Sequence, residues 1–401
     1  MNRSLTLLAC CALAASAATA QTLQTPETSP AFRRHTDPET GVVSYILERP
    51  RLGLNHQSLY FTHKSMTDDG RFLVFNVSGG GFGDSTKLLA VFDFLTGDSR
   101  IISNFGGIPF LDVRTDQLYY INKAGVFRHD LLVDPLQPIL LCTIPDELTA
   151  LGKISYFCTH LTLTHDRTQA FLDLKVGDRY VQGLLNLQTG RFTKWGETDF
   201  FINHGQIHPF RDDLALCAWE NLKGKLIDGV YQRLWLLEPN GKRTMIPPVH
   251  TNYATHEHWS EDGKGFYFCS NGVYYHDLET GQQRQLVPMK AAHAAISADN
   301  QLATFDYSVG KWYRGCAWSI GFYNLKTQKG LYFYPKLEPF NDIDHPSKLH
   351  PDPHPQFVCN DRYIISTVNL GSGNMDLSIT PVQQLLELTT STTEESTKHT
   401  K

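Results

Sequence analysis

Charged residues are scarce in this chain of 401 residues, at 19%, and neither sign gathers into a block. With 36 basic against 41 acidic residues and a formal charge of -5, the composition speaks against a general nucleic-acid or anionic-membrane binder. An anionic ligand would need a local positive site. The cysteines contain no Cys-x-x-Cys pair, which removes a closed zinc ribbon or finger. After the first twenty residues there is no apolar run of about 20, so no later segment is built to cross a bilayer as a helix. Helical periodicity is weak except over 382–388. What the chain has in quantity is 23 Phe, 17 Tyr, 30 Gly, 20 Pro and 17 His. That mixture excludes disorder, collagen and coiled coil and favours strands joined by tight turns.

The chain opens with Arg3, an apolar stretch over 5–15 and the small-residue run Ala18-Thr19-Ala20. These predict a signal peptide over 1–20, a mature chain from Gln21 and a periplasmic or secreted protein. Cys10, after Leu7-Leu8-Ala9, resembles a lipoprotein processing site but leaves an unusually short apolar core. The later cysteines are Cys142, Cys158, Cys217, Cys269, Cys316 and Cys359. Export permits one or two disulfides. Cys217 and Cys269, however, lie in apolar runs that suit buried thiols.

A repeat organises the chain. Thr67-Asp68-Asp69-Gly70 precedes the strand-forming run Arg71-Phe72-Leu73-Val74-Phe75, and related turn-plus-strand segments carry Asp116, Asp166, Asp212, Asp262, Asp299 and Asp361. A second turn follows one strand later in most copies, as in Phe94-Leu95-Thr96-Gly97, Leu187-Gln188-Thr189-Gly190 and Leu278-Glu279-Thr280-Gly281. Four strands and two hairpin turns at a period of about 40–50 residues describe a propeller blade. Seven markers predict an all-β, seven-bladed β-propeller over 21–388, and a disordered Thr/Glu/Lys tail over 389–401. The early segment Gly41-Val42-Val43-Ser44-Tyr45-Ile46-Leu47 is expected to pair with the last blade and close the ring.

Blade register also sorts the histidines. Six residues before each marker stand His63, Phe110, His160, Gln206, His256, His293 and, with a one-residue shift, His354. Equal register on the innermost strands places these side chains at one level of the central channel. A single histidine is ordinarily a packed, hydrogen-bonded residue, but five in one register call for a shared purpose. Metal ligation and proton abstraction near neutral pH both suit imidazole. His350, Asp352 and His354 alternate, so on an extended segment they point one way and can share an ion.

The run Tyr253-Ala254-Thr255-His256-Glu257-His258-Trp259-Ser260-Glu261-Asp262-Gly263, preceded by Arg233-Leu234-Trp235-Leu236-Leu237-Glu238-Pro239-Asn240-Gly241, resembles the central signature of the oligogalacturonate lyases, a seven-bladed family of polysaccharide lyases. Ala292-His293 and Pro353-His354-Pro355 continue the match, which covers about 36–381. The resemblance implies β-elimination on α-1,4-linked uronates, an anionic oligosaccharide substrate, and 4,5-unsaturated products. It makes His256 the Brønsted base, Arg233 the arginine that engages the substrate carboxylate, and His293 and His354 ligands of a divalent ion, typically Mn2+. Where the family reads His-Pro-His this chain reads Asp352-Pro353-His354, and the family's preceding Gln falls near Leu349 or His350. A carboxylate there suits a hard ion, Mn2+ or Ca2+.

The other ring positions, His63, His160 and Gln206 with neighbouring His204 and His208, are candidates for substrate contacts, and Tyr253 and Tyr231 are candidate proton donors. The family acts on short imported oligomers in the cytoplasm, whereas this chain carries an export signal. That leaves open a lyase on another polyuronate such as ulvan, or a non-catalytic periplasmic sugar-binding propeller. A hydrolase would need paired acidic residues lining the channel.

Overall fold

The structure, a computed structural model, describes residues 22–48, 52–79, 88–104, 106–133, 137–220, 232–249, 254–309, 317–339 and 352–390. Residues 1–20, expected to form a signal peptide, and Cys316, Tyr231, Tyr253 and His350 lie outside the described residues.

Seven antiparallel sheets follow one another along the chain. Blade one opens with Asn55–Gln57 and blade two with Gly106–Asp112. In blade three the short strands Ile154–Tyr156 and Thr162–Leu163 both pair with Gln169–Val176. Blades four, five and six open with Ile202–Ile207, Thr255–Trp259 and Ala294–Ile296. Blade seven runs Gln356–Val358, Tyr363–Val368, Asp376–Pro381, and is completed by Val43–Leu47 and Phe32–Thr36 from the start of the chain. The expected closure is therefore present: Tyr45 pairs with Ile379 and Ile46 with Ser378.

The core is divided among the blade interfaces, because each strand sends alternate residues to opposite neighbours. On Phe72–Ser78, buried throughout, Leu73, Phe75 and Val77 pack with Val358, Ile365 and Leu377 of blade seven. Phe72 and Val74 pack with Leu111, Leu118 and Tyr120 of blade two. Burial on both faces explains why the second strands read as continuous apolar runs instead of alternating ones. Each fully buried Phe or Leu contributes about 1.5–3 kcal/mol of transfer free energy.

The repeating Asp has a local cause. Thr67, Thr164, Ser260 and Ser297 each donate a side-chain O–H to the Asp two residues on (Asp69, Asp166, Asp262 and Asp299) at 2.6–2.7 Å. The same carboxylates accept the backbone N–H of Arg71, Thr168, Lys264 and Gln301, closing the turn.

The C-terminal helix runs Val382–Thr390 and includes Thr389, which is buried and donates its hydroxyl to the Leu385 carbonyl. The five described cysteines are all buried and free, so among the described residues no disulfide forms. Nor is any described helix long and apolar enough to cross a membrane.

Candidate active site and metal centre

Four residues before each recurring turn the chain reaches the channel axis. The turn begins where Thr67, Thr164, Ser260 and Ser297 each donate a backbone N–H across it to the fifth residue on. Counting back from there gives His63, His160, His256 and His293. In blade four the corresponding bond runs from His208 N–H to the Leu214 carbonyl, one residue longer. Asp212 stands four residues after His208, whereas the other markers stand two after the start of their turns, so the blade-four ring residue is His204 and not Gln206.

Ring separations confirm the assembly. His63 and His160 stack at 5.5 Å between centroids, and His160 meets His204 edge-on at 5.1 Å. His256 lies 3.9 Å from His293, which lies 4.4 Å from His354. The expectation that these residues sit within the innermost strands holds only for His204 and His256; His63, His160, His293 and His354 lie just ahead of strands. His204, His256 and His354 adopt left-handed backbone with φ of 53, 55 and 46°. Register shifts between Asn203 and Gln206, and between Thr255 and His258, accompany the first two. Such bulges re-aim a side chain, here toward the axis.

Hydrogen bonds fix the tautomers. His256 Nδ1–H donates to the Ala292 carbonyl at 2.6 Å, which turns Nε2 into the lone-pair nitrogen. Burial, then the neighbouring His293 and Arg233, hold its pKa well below the usual value, so the ring is neutral near pH 7. His293 Nδ1–H donates to Asp306 at 2.9 Å and presents Nε2 to Asp352 at 3.6 Å. His354 Nε2 approaches the same Asp352 oxygen at 3.6 Å. Burial alone would lower the His293 pKa, but the charge and hydrogen bond of Asp306, with the charge of Asp352, raise it.

His293, Asp352 and His354 are buried and offer ligand atoms that all lie within 4.8 Å of one another. Donors 3.6 Å apart can sit about 2.0–2.3 Å from one common ion. Two imidazoles with one carboxylate, the first imidazole backed by a second carboxylate, make a donor set for a divalent first-row metal. These three positions expected to bind metal therefore converge.

Arg233 and His204 meet in a second cluster. Arg233 Nη1 donates to Glu220 at 2.6 Å and its Nε lies 3.6 Å from Glu257. His204 Nδ1 lies 3.0 Å from Glu257 and Nε2 3.8 Å from Glu220. Burial of Glu257 works against its ionisation, yet Arg233 and His204 outweigh it and hold its pKa below normal. The two carboxylates are thus engaged by Arg233 and His204 and do not form an exposed acid pair of the hydrolase kind.

Other sequence candidates have structural duties. His63 donates Nε2–H to the Leu161 carbonyl at 3.2 Å and accepts the Thr62 hydroxyl at Nδ1 at 2.9 Å. Thr62 in turn accepts His160 Nδ1–H at 3.1 Å, which makes Nε2 the lone-pair nitrogen of His160. His208 accepts the Phe210 N–H and donates to the Gly263 carbonyl, so both its nitrogens serve the turn. Gln206 donates to the Glu257 carbonyl and tethers blade four to blade five. His63, His208 and Gln206 thus each serve the scaffold through these bonds.

Sequence reasoning missed Asp306, Glu220, Glu257 and Tyr60. Asp306 interrupts the apolar strand Leu302–Val309, and Glu257 sits beside His256 in a buried run, both visible anomalies. Tyr60 gave no such signal. It arrives on the connection after Asn55–Gln57 and packs against His160, His204, His293 and His354.

Comparison with solved structures places this architecture. An oligogalacturonate lyase in complex with manganese superposes with a TM-score of 0.68 at 20% identity, covering 87% of this chain and 96% of that one. The oligogalacturonate lyase of Vibrio parahaemolyticus gives 0.67 at 20% identity, with 88% and 96% covered. The fold is that of the oligogalacturonate lyase structures. No family model matches the sequence, and no curated protein does. In the oligogalacturonate lyase fold, then, this chain carries a buried His-Asp-His trio, an adjacent neutral imidazole and an arginine held between two glutamates.

Proposed function

We propose that the protein is an exported, metal-assisted lyase that cleaves α-1,4-linked uronate oligosaccharides, oligogalacturonides in the first instance, by β-elimination. The observation that carries this reading is the pairing of His256 with the trio: a neutral imidazole, its Nδ1 committed to Ala292, stands 3.9 Å from His293. The likeness to oligogalacturonate lyase structures supports the same chemistry.

The C5 proton of a uronate is weakly acidic because the negative charge left behind must spread onto a carboxylate already charged. A divalent ion held by His293, Asp352 and His354 supplies the compensating positive charge when bound. Mn2+ suits this set better than Ca2+, which favours oxygen ligands alone. His256 Nε2 takes the C5 proton. Its lowered pKa makes it a weak base by itself, and a substrate carboxylate brought alongside raises its proton affinity toward the useful range. Arg233 adds positive charge on the blade-four side, oriented by Glu220 and Glu257.

Purified protein incubated with oligogalacturonides is expected to form a product with the ultraviolet absorbance of a 4,5-unsaturated uronate. Chelation suppresses it, and His256→Ala lowers kcat by about 10²–10⁴-fold, the range of a positioned general base. Turnover of ulvan or alginate oligomers alone moves the substrate assignment and keeps the reaction. Binding without any unsaturated product identifies a sugar-binding propeller and overturns the lyase reading.

A further inference from the structure

Tyr60 occupies the middle of the histidine ring. Its ring centroid lies 4.7 Å from His354, 5.2 Å from His160, 6.1 Å from His293 and 6.4 Å from His204. Among the described residues it is the one phenol packed on these imidazoles. It is only partly buried, whereas His160, His293 and His354 around it are buried. Its neighbour Phe61, itself buried, packs on His293 at 5.3 Å and His354 at 6.2 Å and reaches on to His256 and His258, which Tyr60 does not contact among the described ring pairs.

These positions triangulate a uronate. With the carboxylate at His293, Asp352 and His354, C5 is one bond from the carboxyl carbon and the C4 oxygen two bonds beyond C5. His256 approaches from blade five, next to His293. Tyr60 approaches from the blade-one connection, next to His354 and with blades three and four behind it. One side of the trio thus carries an imidazole with a lone pair and the other a phenol ring, the two kinds of group an elimination uses at adjacent carbons.

On the lyase reading above, we propose that Tyr60 is the catalytic proton donor to the departing C4 oxygen. The C5–H bond breaks and its proton goes to His256 Nε2, while its electron pair becomes the C4–C5 double bond. The C4–O bond breaks, and the departing oxygen keeps that pair and takes the phenolic proton. Water returns a proton to the Tyr60 phenolate and accepts one from the His256 imidazolium, so no water is consumed overall.

The test compares two leaving groups in the metal-loaded full-length protein. Digalacturonate releases an alkoxide that needs a proton; a galacturonide bearing a dinitrophenyl ether at C4 releases a stable phenolate that does not. Tyr60→Phe is expected to lower kcat on digalacturonate by about 10²–10⁴-fold and to stay within about threefold on the dinitrophenyl ether. Retained turnover of the ether shows that the variant is folded. Tyr60→His, which keeps a ring and a donor, is expected to restore part of the digalacturonate rate. Equal losses on both substrates, with no recovery in Tyr60→His, overturn the assignment, as does an undiminished rate on digalacturonate. If the wild-type protein eliminates neither substrate, the lyase reading itself falls; an active wild type with a non-selective Tyr60→Phe variant sinks only the role of Tyr60.

Discussion

Asp306 and His293 are joined twice. One carboxylate oxygen of Asp306 accepts both the backbone N–H and the ring Nδ1–H of His293, each at 2.9 Å. The other oxygen accepts the backbone N–H of His354 at 3.0 Å. A single buried carboxylate, on a strand that carries no ligand of the trio, therefore sets the tautomer of one imidazole and the backbone of another.

Removing that charge is expected to loosen the metal site without emptying the fold. Asp306→Asn is nearly isosteric but presents an N–H where an acceptor is required, and it leaves His293 free to rotate or change tautomer. Metal affinity should fall by about 10–100-fold, the usual cost of losing such a partner. Calorimetric titration of chelator-treated protein with Mn2+ reads this directly, and kcat at saturating Mn2+ should recover most of its loss. Unchanged affinity would show that Asp306 serves packing only.

The blades were legible because their cause is local: a Ser or Thr hydroxyl, an Asp acceptor and an apolar run recur together, as at Thr67 and Asp69. The ring was legible for the same reason, since each turn fixes how many residues back the axis lies. It failed at blade four because Asp212 stands two residues later in its turn than the other markers do, while the hydrogen-bonded closure starts at His208. Spacing in sequence counts residues, whereas the channel is defined by backbone pairing. Asp306 and Tyr60 lay beyond reach for another reason. Their importance arises from elements distant in the chain, Asp306 with His354 and Tyr60 with four blades, and no periodicity encodes that. His350 was singled out with Asp352 and His354, and only the last two fall within the described residues.

Acid should destabilise the fold in a window that His63 helps to set. Burial, partly offset by the bond to the Leu161 carbonyl, lowers its pKa from 6.5 to about 4. Between those values the unfolded chain binds a proton that the folded one refuses, so stability is full above about pH 6.5 and falls as pH drops toward 4. The full shift corresponds to about 3 kcal/mol at most. His160 and His256, also lowered by burial, act in the same direction. Urea midpoints measured from pH 7 to pH 4 should therefore decline in the wild type and decline less steeply in His63→Gln. Parallel profiles for the two proteins would exclude His63 from the acid response.

Arg233 combines a proposed role toward substrate with a structural one, and the two can be separated. Its side chain is 6% exposed, and its partners Glu220 and Glu257 are 12% and 0% exposed. Truncation to Ala leaves two carboxylates in a low-dielectric site with only His204 to oppose them. Breaking a buried pair in this way costs about 3–5 kcal/mol. Loss of activity in Arg233→Ala alone is therefore ambiguous, because part of it will come from a loosened channel wall. Pairing Arg233→Met with Glu220→Gln removes one charge of each sign and keeps the volume, so most of the stability should return while turnover of oligogalacturonides stays low. Recovery of both stability and turnover in the double variant would mean that Arg233 only neutralises Glu220 and Glu257. Recovery of stability alone would assign the guanidinium a direct part in holding the anionic substrate.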